Sequence, residues 1–198
     1  MWAVETPPTV GCPGWCLHQP ATILNASNNS GYIITWYLLS LPYKIYTMSC
    51  TFNLALPVAI GSDHAGFDYK VELAKYLQQK GFDINDLGVY ENKSVDYPDF
   101  AHPVADAVEK EEAAFGILVC GSGNGVCMTA NKHRGIRAAV CWQPDIARLA
   151  RQHNNANIIC IPGRFVDLND AKKMVDIFLE TPFEGGRHKI RIDKISYM

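Results

Sequence analysis

The chain of 198 residues carries almost no net charge: 18 Lys and Arg stand against 20 Asp and Glu. That near-balance leaves no basic footprint for nucleic acid, and no nucleic-acid partner is expected. It has no run of 18 or more apolar residues, so neither a spanning helix nor a membrane partner is expected. The seven cysteines, at 12, 16, 50, 120, 127, 141 and 160, are odd in number and form no Cys-x-x-Cys pair. A disulfide framework and a structural zinc site are both disfavoured, and reduced thiols point to a cytoplasmic protein. His-x-x-x-His and His/Cys/carboxylate spacings are missing too, and no metal is expected. What is present is 48% hydrophobic residues against 19% charged ones, enough for a packed core.

Charge is also missing locally. Residues 1–57 hold only Glu5 and Lys44 as charged side chains, among scattered Pro, Trp, Asn and Ser. The apolar stretch Tyr32 to Tyr46 is broken by Pro42 and Lys44 and lacks a basic leader, so it does not read as a signal peptide. Residues 1–56 are expected to be a poorly ordered N-terminal extension without catalytic work, and residues 57–198 the working domain. Met48, just ahead of the domain-like text, is a candidate functional start.

From Pro57 onward short apolar runs alternate with helix-period segments. Strands are expected at Val58 to Gly61, within Phe82 to Val89, at Phe115 to Cys120, Ile136 to Cys141 and Asn157 to Ile161. Helices are expected from Gly66 to Lys80, with Phe67, Val71, Ala74 and Leu77 inward, and from Pro98 to Glu112, with Phe100, Val104, Ala105 and Val108 inward. Others follow the glycine loop at 121–125 and cover Pro144 to His153 and Asp167 to Glu180. Five strand–helix repeats predict a Rossmann-like, three-layer αβα sandwich on a parallel sheet of about five strands, doubly wound.

Open parallel sheets bind ligands beyond the carboxyl ends of their strands. Three polar clusters are expected there: Ser62-Asp63-His64, Cys120 with Gly121-Ser122-Gly123-Asn124-Gly125, and His153-Asn154-Asn155. Glycines at alternate positions before a helix expose backbone N–H groups that suit an anion, although a plain tight turn would use them too. A dinucleotide loop would need G-x-G-x-x-G, and the third glycine comes one residue early. No Gly-Lys-Ser/Thr follows for a Walker loop. A nucleotide reading also wants an acidic residue about 20 positions later, where Cys141-Trp142-Gln143 stand. Loop N–H groups should lower the Cys120 pKa from its usual ~8.5 and equip it as nucleophile or base. Cys141 and Cys160 read as inert strand cysteines, and His18, His102 and His133 as histidines without a partner cluster. Arg187 and Arg191, four apart, form either a solvated face or a phosphate clamp.

These motifs resemble the type B ribose-5-phosphate isomerases, relatives of the bacterial galactose-6-phosphate isomerases. The resemblance covers about residues 57–195. It rests on Gly61-Ser62-Asp63-His64-Ala65-Gly66, Asp96-Tyr97-Pro98, Cys120 through Gly125, Ala130-Asn131-Lys132, Gly135-Ile136-Arg137-Ala138, Arg151-Gln152-His153-Asn154 and Gly185-Gly186-Arg187-His188. It implies interconversion of ribose 5-phosphate and ribulose 5-phosphate through an enediolate, with no cofactor and no metal. Cys120 matches the proton-abstracting cysteine. Members lacking it use a glutamate six residues later, where this chain has Val126. His153 matches the histidine that assists ring opening. Asp63, His64, Tyr97, Gly121, Ser122, Gly123, Asn124, Gly125, Asn154 and Arg164 match substrate contacts, and Arg187 and Arg191 match phosphate binders. Ser122 replaces the threonine of many cysteine-type members and keeps the hydroxyl. The resemblance further implies a homodimer, or a tetramer, with shared active sites in which His153, Asn154 and Arg164 face Cys120 across the interface. The rival to this reading is an inactive interaction protein, against which the intact Cys120, His153, Arg187 and Arg191 argue.

Overall fold

Strands buried on both faces must be apolar at every position rather than at alternate ones. β1 (Val58–Ser62), β3 (Gly116–Cys120) and β5 (Ile158–Pro162) meet that rule apart from the polar Ser62 that ends β1, and each is buried at all five residues. With β2 (Ile84–Asp86) and β4 (Ala138–Val140) they form one sheet, in the order β2-β1-β3-β5-β4, all pairs parallel. The structure is a computed structural model that describes residues 52–196. The expectations for residues 1–51 and for Met48 lie outside the described residues.

Side-chain parity along the strands splits the core into two layers. Val58, Ile60, Ile117, Val119, Ile159 and Ile161 face α1 (Phe67–Gln79), α4 (Pro144–Asn154) and α5 (Leu168–Glu180). Ala59, Leu118, Cys120, Ile158 and Cys160 face α2 (Pro98–Glu109) and α3 (Asn124–Ala130). A short sixth helix, α6 (Arg187–Ile192), packs on α4. The three-layer αβα sandwich expected from the sequence is therefore present, with five strands. The core reaches back to Phe52, ahead of residue 57 where the domain was expected to begin. Its ring packs on Phe115 and Phe178, with the Arg151 guanidinium 4.1 Å from its centre.

Two expectations about inward faces need correction. In α1 the buried positions are Lys70, Leu73 and Leu77; of the expected stripe, Leu77 is buried, Ala74 packs on the core while partly exposed, and Phe67 and Val71 are only half-buried. The register is rotated because Lys70, 1% exposed, is drawn inward by both Asp86 carboxylate oxygens, at 2.6 and 2.7 Å. Phe100 in α2 is only half-buried, whereas Val104, Ala105 and Val108 are core residues. Between β1 and α1 the chain turns tightly at His64–Gly66, and a Cβ on Gly66 would fall 2.4 Å from the Val119 carbonyl oxygen. That glycine lets the chain cross the end of β3 at contact distance.

Candidate active site

Neighbouring strands β1 and β3 lead in opposite directions across the sheet, β1 toward β2 and β3 toward β5, which opens a crevice at their carboxyl ends. Cys120 is the last residue of β3 and 4% exposed. The backbone N–H of Gly123 donates to its Sγ at 3.1 Å. Gly123 can aim that N–H because its φ of +74° lies in the left-handed region, and it caps the start of α3. Asn124 N–H donates to Ser122 Oγ at 3.4 Å, tightening the same loop.

The crevice is walled by other expected residues. Asp63 N–H donates to the Val119 carbonyl at 3.2 Å, and Asp63 Oδ1 accepts from Gly66 N–H at 3.0 Å. Asp63 is thus a buried turn cap with its second oxygen unengaged by these bonds. His64 Nδ1 accepts from Val95 N–H at 3.4 Å. The Tyr97 ring lies against Gly125, within 2.8 to 3.0 Å of where a Cβ would stand. The Arg164 side chain covers Gly121, and the Arg164 backbone N–H donates to the Gly121 carbonyl at 3.2 Å. Asp63, His64, Tyr97, Cys120, Gly121 to Gly125 and Arg164 therefore share one edge of one chain. This corrects the expectation that Arg164 lies opposite Cys120.

The third polar cluster is elsewhere. α4 runs back across the sheet, so its last turn, with His153 and Asn154, ends at the amino edge beside Asn157 and β5's first residue. Gly116 N–H, at the start of β3, donates to the Asn157 carbonyl at 3.0 Å, while Cys120 pairs with Pro162 at the far end of the ladder. The four steps from Gly116 to Cys120 span about 13 Å at ~3.3 Å per residue. His153-Asn154-Asn155 thus lies beyond the amino ends of the strands, not the carboxyl ends as expected. The cause is antiparallel return: a cluster preceding a strand belongs to the opposite edge from one following it.

A basic group gathers on that second edge. Arg137 Nε donates to the carbonyls of Asn154 and Asn155 at 3.1 and 3.0 Å, closing the end of α4. Glu184 N–H donates to the Gln152 carbonyl at 3.0 Å and brings in the segment leading to α6. There the His188 ring stacks on His153, with centroids 4.2 Å apart and planes 3° from parallel. Glu184 Oε2 lies 3.6 Å from His188 Nε2 and 3.9 Å from His153 Nε2. Burial first, then His153 and Arg187, hold the His188 pKa below the ordinary histidine value. Arg187 and Arg191 are both exposed on α6. Arg137, Glu184 and His188 were not singled out as site residues, although the Gly135–Ala138 and Gly185–His188 motifs contain two of them.

Two other clusters separate from the site. Cys141 and Cys160 are buried thiols, Cys141 pushed up to about 12 by burial and Cys160 well above its ordinary range for the same reason. Cys127 is lowered, first by its hydrogen bond with the Cys160 thiol, then by the Val140 N–H and the Asn131 amide, against burial. His133 does have partners, contrary to expectation: His102 Nδ1 at 2.8 Å, Asp106 Oδ1 at 3.2 Å and Glu109 Oε2 at 3.3 Å. Among the described residues, the groups with donor atoms close enough to share a cation are His133-Asp106-Glu109 and His153-Glu184-His188.

Fold and crevice together define an α/β enzyme with a cysteine and an N–H-lined loop at the switch point of a parallel sheet. Residues 58–195 match the profile of the ribose/galactose isomerases. A ribose-5-phosphate isomerase B from Escherichia coli is 43% identical over 139 residues, covering 70% of this chain and 93% of its own. The crystal structure of a Thermotoga maritima ribose 5-phosphate isomerase is 52% identical, with a TM-score of 0.70 over 71% of this chain and 97% of that one. A Mycoplasma genitalium ribose-5-phosphate isomerase B, solved with bound ribulose 5-phosphate, is 47% identical, with a TM-score of 0.69 over 72% and 95% of the two chains. The chain belongs to the ribose/galactose isomerase family, and it is an isomerase. No described helix is long and apolar enough to cross a membrane.

Proposed function

We propose that the chain interconverts ribose 5-phosphate and ribulose 5-phosphate, with Cys120 as the base and the site completed by a second copy. The observation that carries this reading is the Gly123 N–H aimed at Cys120 Sγ in the switch crevice. The Mycoplasma genitalium relative, which holds ribulose 5-phosphate, supports the choice of substrate. Cys120 thiolate takes the C2 proton; the C2–H electron pair forms the C1=C2 bond, and the carbonyl pair moves onto O1. The same thiol returns a proton to C1, and the O2 proton passes to O1, so that C1 carries a hydroxyl as the C2 carbonyl forms. Oxidation of C2 balances reduction of C1, so no external redox partner enters. N–H groups of Gly121 to Gly125 face the enediolate oxygens as preorganised donors. Asp63, His64, Tyr97 and Arg164 line the same pocket and orient the sugar.

Ring opening needs a proton at the ring oxygen, which His153 supplies, with Asn154 beside it. Arg187 and Arg191 bind the phosphate through charge-assisted hydrogen bonds and so fix C1 and C2. Those three groups share the amino edge, roughly 13 Å or more from Cys120 along the sheet. A homodimer that sets the amino edge of one copy against the carboxyl edge of the other unites them. The working domain is residues 57–198 with Phe52 docked on its core, and residues 1–51 are a dispensable extension. The four described cysteines are free thiols, which fits the reducing cytoplasm.

A coupled assay across ribose 5-phosphate, allose 6-phosphate and galactose 6-phosphate tests the reading. Ribose 5-phosphate should give the highest kcat/KM. Preference for a six-carbon phosphate replaces the substrate; no turnover of any of the three overturns the function.

A further inference from the structure

His188 is 6% exposed, a deep position for an imidazole on a helix whose arginines are exposed. Its ring makes two contacts besides the Glu184 carboxylate, whose Oε2 is 3.6 Å from Nε2. One face lies flat on His153, 4.2 Å away and nearly parallel. At its edge, Nε2 is 3.5 Å from Arg187 Nε, a distance at which the neutral ring accepts from the guanidinium. One rigid, buried ring thus touches both the proton-donating histidine and a phosphate-binding arginine, and neither of those is itself buried.

The charges around the ring agree with that role. His153 from α4 and Arg187 and Arg191 from α6 all disfavour a proton on His188, and Glu184 alone favours one. His153, stacked on that ring, has a side chain that is 38% exposed and open to a substrate. We infer that His188 is a positioning residue that fixes the ring plane of His153 through its face and the guanidinium of Arg187 through Nε2. The inference rests on the roles given to His153 and Arg187 above.

Separate variants address the two contacts. His188→Phe keeps a flat ring on His153 and removes the acceptor for Arg187. His188→Gln keeps an acceptor near Nε2 and removes the stack. On ribose 5-phosphate, which must open its ring, His188→Gln should lower kcat about tenfold or more with KM within about twofold. His188→Phe should do the reverse, raising KM about fivefold or more with kcat little changed. Ribulose 5-phosphate has no ring to open, because its O5 carries the phosphate. Exchange of its C1 hydrogen with solvent deuterium reads the enediolate step alone and should survive in His188→Gln within about threefold. In a His153→Ala background, His188→Gln should add less than about a twofold further loss.

Wild-type values for both variants overturn the inference. So does a parallel fall of ribose 5-phosphate turnover and ribulose 5-phosphate exchange, with or without a lower melting temperature, because that pattern is a structural role. If the wild-type protein neither turns over ribose 5-phosphate nor exchanges ribulose 5-phosphate, the proposed function fails rather than the role of His188.

Discussion

Mixing two inactive variants should restore activity. Cys120→Ala removes the base from the carboxyl edge, and His153→Ala removes the proton donor from the amino edge. In one chain these residues lie at opposite ends of the β3–β5 ladder, which runs from Gly116 against Ile158 to Cys120 against Pro162. A base and an acid acting on one substrate each need hydrogen-bond reach of about 3 Å, which a span of ~13 Å does not allow a small sugar phosphate within one chain. The proposed mechanism then requires each site to draw Cys120 from one copy and His153 from the other. Refolding the two variants together in equal amounts gives about half hybrid dimers by random pairing, and each hybrid has one intact and one doubly mutated site. The mixture should therefore recover about one quarter of wild-type turnover per chain, while each variant alone stays near background. The assay is the coupled isomerase rate after joint refolding, with separately refolded and then mixed samples as control. A joint sample that gives only the average of the two inactive variants refutes the shared site.

Cys120→Ser should be almost as inactive as Cys120→Ala, losing about 10²–10⁴-fold in kcat, because a hydroxyl is a poor base near neutral pH; substantial turnover in either variant removes Cys120 from the mechanism. Arg187→Ala and Arg191→Ala should each weaken binding of substrate and of inorganic phosphate by roughly 1.5–3 kcal/mol, read as KM and as phosphate inhibition; unchanged values in both move the phosphate elsewhere. Asp86→Asn should cost more than Lys70→Met, about 2–3 kcal/mol against under about 1 kcal/mol by urea unfolding, because the first strands an ammonium that is 1% exposed and the second leaves a carboxylate that water still reaches; the reverse order would contradict this. Stability should also fall in alkali. The folded Cys141 thiol, pushed up to about 12, keeps its proton while the unfolded thiol loses it above about pH 9, so its contribution is complete below that pH and lost as pH approaches 12. The difference in unfolding free energy between wild type and Cys141→Ala should shrink by roughly 1.4 kcal/mol per pH unit in that window, and a constant difference would count against it.

Much of the sheet is legible in the sequence because strands buried on both faces leave unbroken apolar runs, and Gly116–Cys120 and Ile158–Pro162 lie within a residue or so of their expected places. Periodicity failed for α1, where the inward residue is a lysine: a pattern of apolar positions cannot announce a cation whose partner, Asp86, sits sixteen residues later on another strand. The crevice residues were equally legible, since the loop after β3 and the turn after β1 each follow a strand. The edge of His153 was not, although the alternating order of strands and helices already implies it. Reading the cluster as a site residue placed it with the others; reading it as the end of an antiparallel return places it correctly. Arg164 erred in the opposite direction, because its place in the turn directly after β5 puts it beside Gly121 in the same chain. The stack of His188 on His153 depends on α6 docking against α4, a tertiary contact that no local pattern encodes.

The division of the site between two edges follows from the geometry of parallel strand–helix units. Helix amino termini gather where the strands end, and helix carboxyl termini where the strands begin. Aligned peptide dipoles make the first environment favourable to anions and the second to cations. An isomerase working through an enediolate needs both: N–H donors around a developing negative charge, and a protonated imidazole to open the ring. The first requirement is met at Gly121 to Gly125, ahead of α3. The second is assigned, in the proposed mechanism, to His153 at the last turn of α4, where Arg137 engages the carbonyls of Asn154 and Asn155. Within one sheet these environments lie at opposite edges, and lengthening a loop to bridge them would place a catalytic group on the least rigid part of the chain. Apposing two copies about a twofold axis brings one edge of each to the other's opposite edge and needs no new loop. The same operation generates two identical sites, which is why the mixed variants should recover about a quarter of the activity rather than half.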